Sequence, residues 1–319
     1  MSAYVVRRLL LSIPVFVVVS LLIFCLMRVI PGDVALMMLT GTEGLSGASE
    51  ERLASLRHDL GLDRPPHEQY LSWIGGLARF DLGRSFKTDD PVLEEIAKAL
   101  PVTLELAILS TLISLVIAIP VGVMSAVHQD RWLDYIFRIV TVGGIAMPVF
   151  WTGTLIILFL VMLFRWIPPL GFAALTEDPV KNLQQMVWPA LALGYNHSAI
   201  LGRMTRSCML EVLRQDYVRT ARAKGLTERA VIYYHSLKNA LLPVVTVAGF
   251  QFGYMLSGTM LMEIVFMLPG LGTTLVESIL GRDYPLVQNI VLFIAFMQIA
   301  VNFGVDLTYG WLDPRIRYR

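Results

Sequence analysis

The sequence predicts an all-α membrane protein of about six transmembrane helices, with both termini cytoplasmic and a folded extracytoplasmic segment after helix one. Three observations predict it: an apolar composition, six long stretches without acidic or basic residues, and basic residues gathered in alternate loops. Of 319 residues, 55% are hydrophobic and 16% charged, and the mean hydropathy is +0.63. Soluble domains carry about 25% charged residues, so this composition points away from water. The net charge of +1 decides nothing as a sum.

A bilayer core of ~30 Å takes roughly 20 apolar residues of helix. Stretches free of Asp, Glu, Lys and Arg cover residues 9–27, 106–127, 139–164, 182–202, 239–262 and 284–305. The first is longer than a signal-peptide core and no small-residue cleavage site follows it, so it reads as a retained helix. The fourth opens with polar residues and contains Asn196 and His197, which fits a shorter or water-lined helix. Pro14, Pro120, Pro148, Pro189 and Pro243 fall inside spans. Bilayer helices tolerate such residues as kinks, and the kinks serve either packing or hinge motion.

Orientation follows from Lys and Arg in the short loops. With the N-terminus cytoplasmic, the inside segments hold fifteen of the 26 basic residues, among them Arg7, Arg8, Arg131, Arg138, Arg203 and Arg206. The two short outside loops hold only Arg165, Lys181 and Arg282. The long outside segment, about residues 30–100, is mixed in charge and contains Tyr70, Trp73 and Phe80, so it reads as folded.

Covalent and metal chemistry find no support. The two cysteines, Cys25 and Cys208, are too few for a disulfide framework. The five His residues show no metal-ligand spacing. No paired carboxylates or Ser/His/Asp arrangement is readable, so no catalytic, cofactor-binding or metal-binding residue is assigned. Ionisable residues at span edges are functional candidates, here Glu105, Glu263 and Asp306. A helix-end residue exposed to headgroup water or paired with a nearby Arg is the simpler account of these three, since all sit at predicted span ends. Asn196 and His197 lie deeper and, with Pro148, are candidates for the pathway or its gating. An interhelical hydrogen bond is the simpler role for Asn196 and His197.

The loop between spans four and five is the most informative stretch. Met209, Leu210, Leu213, Tyr217 and Ala221 recur at helical spacing and predict one apolar face, with Arg214, Arg219, Arg222 and Lys224 around it. Gly225 fits a C′ position of positive φ, followed by Leu226. Thr227 fits the N-cap of a second helix, with Glu228 placed for its dipole. That helix offers Val231, Ile232 and Leu237 before span five. A short amphipathic helix with a basic rim suits either the membrane surface or a groove on a soluble partner.

This loop resembles the EAA loop of type I ABC importer permeases, whose pattern is E-A-A-x-x-x-G-x9-I-x-L-P. The corresponding positions are Arg219, Thr220, Ala221 and Gly225, then His235, Leu237 and Lys238. Only Ala221, Gly225 and Leu237 match the general form. The departures follow the dipeptide/oligopeptide/nickel branch, where the run Asp216, Tyr217, Val218, Arg219, Thr220, Ala221, Arg222, Ala223, Lys224, Gly225 is typical. Further strings resemble that branch in order: Arg28 to Asp33, Leu60 to Pro65, Asp81 to Phe86, Leu100 to Leu106, Pro269 to Gly272, Arg282 to Pro285 and Asp313 to Arg317.

The resemblance implies a permease subunit forming half of the pathway of an ATP-driven importer in the bacterial inner membrane, for di- or oligopeptides, or for nickel, glutathione or another small solute. It implies a coupling loop of Asp216, Tyr217, Arg219, Thr220, Ala221, Arg222, Ala223, Lys224, Gly225, Leu226, Thr227 and Glu228. The implied partners are a homologous second permease, one or two cytoplasmic ATPases, an extracytoplasmic substrate-binding protein and the bilayer, with no nucleic acid. The chain has no P-loop: Pro269 to Thr274 lacks the phosphate-reaching Lys. ATP and Mg therefore belong to partner subunits. The expected division is 1–30 transmembrane helix, 31–97 extracytoplasmic segment, 98–308 five-helix permease core with the coupling loop at about 207–238, and 309–319 cytoplasmic tail. An ion-coupled secondary transporter is the rival of a different class; it favours membrane-centre carboxylates and inverted repeats, neither of which is evident.

Overall fold

The computed structural model describes residues 2–29, 36, 50–59, 61, 63–169 and 171–312. Among these the only β feature is one isolated bridge between Arg84 and Pro91. Parts of the expected segment 31–97 and tail 309–319 lie outside the described residues, as do most of the string from Arg28 to Asp33 and all of that from Asp313 to Arg317. The chain divides into two compact units: Val6–Pro101 with Gly270–Met297, and Met1–Val5 with Val102–Pro269 and Gln298–Arg319.

The first unit draws on α1 (Ser2–Val29), α2 (Glu50–Asp59), α3 (Pro66–Leu77), the start of α4 (Val92–Val127), α12 (Leu271–Leu280) and the start of α13 (Tyr284–Leu312). Pro66 opens α3 at its first turn, where a missing N–H costs nothing. Its core joins Val92, Ile96 and Ala99 to Leu271, Leu286 and Ile290. Tyr70 and Trp73 of α3 cluster with Phe24 of α1 at ring separations of 5.2–6.2 Å. Buried Ser20 shares a 2.8 Å hydrogen bond with the Tyr70 hydroxyl. Asn289 accepts from Trp73 Nε1 at 3.1 Å and donates to the Leu82 carbonyl at 2.9 Å. Asp283 accepts from the Ser85 hydroxyl and from the Leu286 N–H. The described part of the expected extracytoplasmic segment is therefore folded.

The second unit holds the rest of α4, then α5 (Trp132–Ala146), α6 (Val149–Phe164), α7 (Pro179–Leu213), α8 (Asp216–Ala223), α9 (Glu228–Ala230), a π segment (Val231–Ser236), α10 (Leu237–Gly258), α11 (Met260–Val265) and the end of α13. Small residues let backbones approach, the usual device where apolar burial alone does not separate helix from lipid. A Cβ on Gly122 of α4 would fall 2.5 Å from Thr205 Cβ and 2.8 Å from the Gly202 carbonyl on α7. One on Gly194 of α7 would fall 2.7 Å from Ile113 Cγ2. One on Gly249 of α10 would fall 2.5 Å from Val305 Cγ2 on α13.

Among the described residues, four helical stretches are long and apolar enough to cross a membrane: Val6–Val29, Val92–Val127, Glu228–Gly258 and Tyr284–Thr308. The expected third span is not one helix. It is the pair α5 and α6, bent by 104° at Met147–Pro148, and counts as a fifth span only if the two are taken together. The cause is local: Pro148 disfavours the helical region for Met147, which is extended at φ −92° and ψ 129°. Pro148 thus starts a helix instead of kinking one. The expected fourth span is helical throughout α7, but it falls short of that apolarity. Its Asn182, Gln185 and His197 are buried against protein, where polar side chains are tolerated.

Candidate coupling site

The loop is built in three pieces. α7 ends at Leu213, the chain breaks at Arg214 and Gln215, and α8 restarts at Asp216. The sequence reading had one break, at Gly225. The extra break changes the helical phase, so the expected face from Met209 to Ala221 is not continuous. Met209 is buried at the end of α7, while Tyr217 is 43% exposed. The inward residues of α8 are Val218 and Ala221, which pack with Val231 over Val212 and Leu213. Val218, fully buried, was missed because spacing was counted straight through the break.

α8 closes with the expected glycine cap. Gly225 has φ +78°. Its N–H donates to the Arg222 carbonyl at 2.9 Å, and the Leu226 N–H donates to the Ala221 carbonyl at 3.4 Å. This is the Schellman pattern, which satisfies the last helical carbonyls. Thr227 then caps α9, its Oγ1 accepting from the Ala230 N–H at 3.4 Å. Arg222 Nε donates to Glu228 Oε1 at 2.8 Å, clamping the two sides of the turn. Tyr217 is fixed from below: Asn239 Nδ2 donates to its hydroxyl at 2.8 Å, and that hydroxyl donates to the His235 carbonyl at 3.4 Å.

What remains outward is mostly polar and aromatic, with Ala223 and Leu226 beside it. Asp216, Arg219, Thr220, Arg222, Ala223, Lys224, Gly225, Leu226, Thr227 and Glu228 are all exposed, with Tyr217 among them. Tyr233 and Tyr234 beyond the cap are 52% and 80% exposed. They line a cleft of about 330 Å³ with Thr227, Arg229 and Ala230. The whole expected set is thus brought together around one turn, except that Ala221 faces inward.

Beneath the loop lies a polar knot that sequence reasoning missed. Asp134 of α5 is fully buried. It accepts two 2.9 Å bonds from Arg206 of α7, a 2.6 Å bond from Arg138, the Asp130 N–H at 3.0 Å and the Ser125 hydroxyl of α4. Arg138 and Arg206 had been read only as loop charges. A buried carboxylate needs such saturation to be tolerated. No local pattern links residues 125, 134 and 206; only their partnership reveals them.

The pathway candidates separate. Asn196 Nδ2 donates to the Gly144 carbonyl at 2.6 Å, and the Tyr195 hydroxyl donates to the Val140 carbonyl at 2.8 Å, both on α5 just before the break at Pro148. His197 points elsewhere, its ring 6.4 Å from Tyr254, and its buried Nδ1 has no hydrogen-bond partner among the described residues. Glu105 is not at a helix end as expected, whereas Glu263 lies in the first turn of the short α11 but is buried, not exposed to headgroup water. Glu105 lies well inside α4 and accepts from Asn182 at 3.1 Å. Glu263 is fully buried on α11 and accepts from Thr103 at 2.8 Å and Thr259 at 3.0 Å. Asp306 sits within α13, which runs on to Leu312.

Residues 118–318 match the family described as binding-protein-dependent transport system inner membrane component, and residues 1–107 match the N-terminal family of the same systems. The dipeptide transport system permease protein of Escherichia coli (strain K12) is 42% identical over 342 residues, covering both chains fully. The di/tripeptide transport system permease protein of Pseudomonas aeruginosa (strain UCBPP-PA14) is 39% identical over 339 residues, again over both full lengths. In fold, a crystal structure of an amino acid ABC transporter with histidines superposes with a TM-score of 0.53 at 17% identity, over 68% of this chain and 93% of the other. The chain therefore belongs to the inner-membrane components of binding-protein-dependent transport systems, and is a permease subunit of a bacterial ABC importer whose ATPase is a separate subunit.

Proposed function

We propose that the chain forms half of the transmembrane pathway for di- or oligopeptides, paired with a homologous permease, and that α8 with its glycine cap docks on a cytoplasmic ATPase. Both termini are cytoplasmic in this reading. ATP and Mg act on one or two ATPase subunits, and an extracytoplasmic binding protein delivers the cargo.

One observation carries the docking role. Val218 and Ala221 of α8 face the chain's own core, and the outward face is Asp216, Arg219, Thr220 and Ala223 with Tyr217 and the cap residue Lys224. A helix lying in the bilayer surface turns its apolar face to lipid. This one turns its two buried apolar positions, Val218 and Ala221, inward and leaves a mostly polar face outside, which supports a protein partner. The Schellman cap, the Arg222–Glu228 pair and the Tyr217–Asn239 bond hold that face rigid. A push from an ATPase then passes into α7 and α10 without being absorbed in the loop. The Asp134 knot ties α4, α5 and α7 together, so the helices respond as a body.

Peptide cargo is supported by the two full-length relatives, which are named as dipeptide and di/tripeptide permeases. The test is uptake of a labelled dipeptide into proteoliposomes holding the assembled transporter, its binding protein and ATP. ATP-dependent accumulation meets the proposal. Accumulation of nickel or glutathione with no dipeptide uptake keeps the machinery and changes the cargo. Uptake driven by an ion gradient without ATP overturns both.

A further inference from the structure

The first unit contains a cavity of about 740 Å³ that the coupling account does not use. Its walls include Arg28 at the end of α1, Arg64 and Gln69 around the start of α3, and Tyr284 at the start of α13. Arg28 and Tyr284 each stand at or within a residue of the end of a stretch able to cross a membrane, Val6–Val29 and Tyr284–Thr308. The cavity therefore lies at headgroup level, where apolar helix gives way to water.

Its chemistry is one-sided. Among the described lining residues there are two guanidinium groups and no carboxylate. Among the described residues Arg28 is held in place by neutral groups only: it donates to the Phe24 carbonyl at 3.2 Å and to the Gln69 side chain, and its guanidinium lies 3.3 Å from the Phe24 ring centroid. Gln69 in turn donates to the Arg64 carbonyl at 2.7 Å, which fixes Arg64 beside it. The Arg64 guanidinium has no ion-pair or hydrogen-bond partner among the described residues. Tyr284 supplies an independent sign: the residue is 9% exposed, and its buried hydroxyl has no hydrogen-bond partner among the described residues. An orphaned buried donor beside two uncompensated cations marks a place for an anion.

We infer that this cavity binds the phosphodiester of an anionic phospholipid, in the leaflet that meets the C-terminal end of α1. Arg28 and Arg64 take phosphate oxygens, and the Tyr284 hydroxyl donates to another. The acyl chains lie along the apolar side of α1, where Leu21, Leu22 and Leu26 are 48–62% exposed. An anionic headgroup is favoured over a zwitterionic one because the described lining offers no carboxylate to an ammonium. Basic pockets between membrane helices recognise headgroups in this way. The inference stands apart from the cargo and from ATPase docking.

The test is native mass spectrometry of the full transporter in detergent, titrated separately with phosphatidylglycerol, phosphatidylethanolamine and inorganic phosphate. Phosphatidylglycerol should be retained most strongly, and inorganic phosphate should not displace it. Arg64→Gln should weaken retention about tenfold, the scale of one hydrogen bond to a charged group. Tyr284→Phe should weaken it severalfold while leaving the melting temperature unchanged, since the hydroxyl it removes has no hydrogen-bond partner among the described residues. Retention equal to wild type in both variants overturns the inference. Saturation by inorganic phosphate at the same site, with no added affinity for the lipid, overturns the lipid as its occupant.

Discussion

Replacement of Gly225 tests whether the rigid cap matters to coupling. At φ +78° a residue with a Cβ costs about 1–2 kcal/mol, because the left-handed region crowds its own backbone. Apart from the glycine and its chain neighbours, no heavy atom of the described residues lies within 4 Å of where that Cβ would sit, so Gly225→Ala carries the backbone cost and nothing more. Gly225→Asn carries less, since Asn visits this region readily. Gly225→Pro is different in kind. Its ring holds φ near −65°, and it removes the N–H that donates to Arg222 at 2.9 Å. The cap then cannot form, and Leu226, Thr227 and the Arg222–Glu228 pair lose their register. Membrane insertion should be unaffected, because the spans are untouched. Transport-stimulated ATP hydrolysis by the reconstituted transporter should rank glycine and Asn first, Ala lower by a modest factor, and Pro near the unstimulated rate. Wild-type stimulation in the Pro variant, at equal membrane abundance, refutes the reasoning.

Four further outcomes follow from the geometry. Ala221→Asp places a carboxylate at a 7% exposed site against Val218 and Val231, and should abolish stimulation in the same assay without loss of insertion. Asp134→Ala strands Arg206 and Arg138 and should cost about 3–5 kcal/mol, read as a lower melting temperature in detergent, with Asp134→Asn less severe. Gly122→Ala forces α4 from α7 against contacts of 2.5 and 2.8 Å and should cost about 1–3 kcal/mol by the same melt. Asn196→Ala removes the bond to the Gly144 carbonyl and should cost roughly 0.6–1.7 kcal/mol, as interhelical bonds in membranes do.

Much of the molecule was legible where the signal is local. Apolar runs fixed α1, α4, α10 and α13, because length without charge is all a span requires. Gly225 and Thr227 were legible as caps because each fills a stereochemical role few residues can. What escaped was what depends on phase or on distant partners. The break at Arg214 and Gln215 carries no Gly or Pro, so Tyr217 was placed inward and Val218 overlooked. Pro148 was visible, but only its neighbours decide between a kink and a 104° turn. Asp134 looked like an ordinary charge beside Arg131 and Arg138, since Arg206 is far along the chain. Glu105 was assigned to a helix end because spans were bounded by charges, and a helix able to bury them runs on past.

The central claim is that the outward face of α8 meets an ATPase subunit, and site-specific crosslinking tests it most directly. A photo-reactive residue placed at Arg219 or Lys224, both exposed, in the full chain in native membranes should give an adduct that mass spectrometry identifies as a P-loop ATPase. The same residue at Val218, which is fully buried, should give none. Adducts to lipid alone at Arg219 and Lys224, with no ATPase in membranes that hold the assembled transporter, would contradict the account.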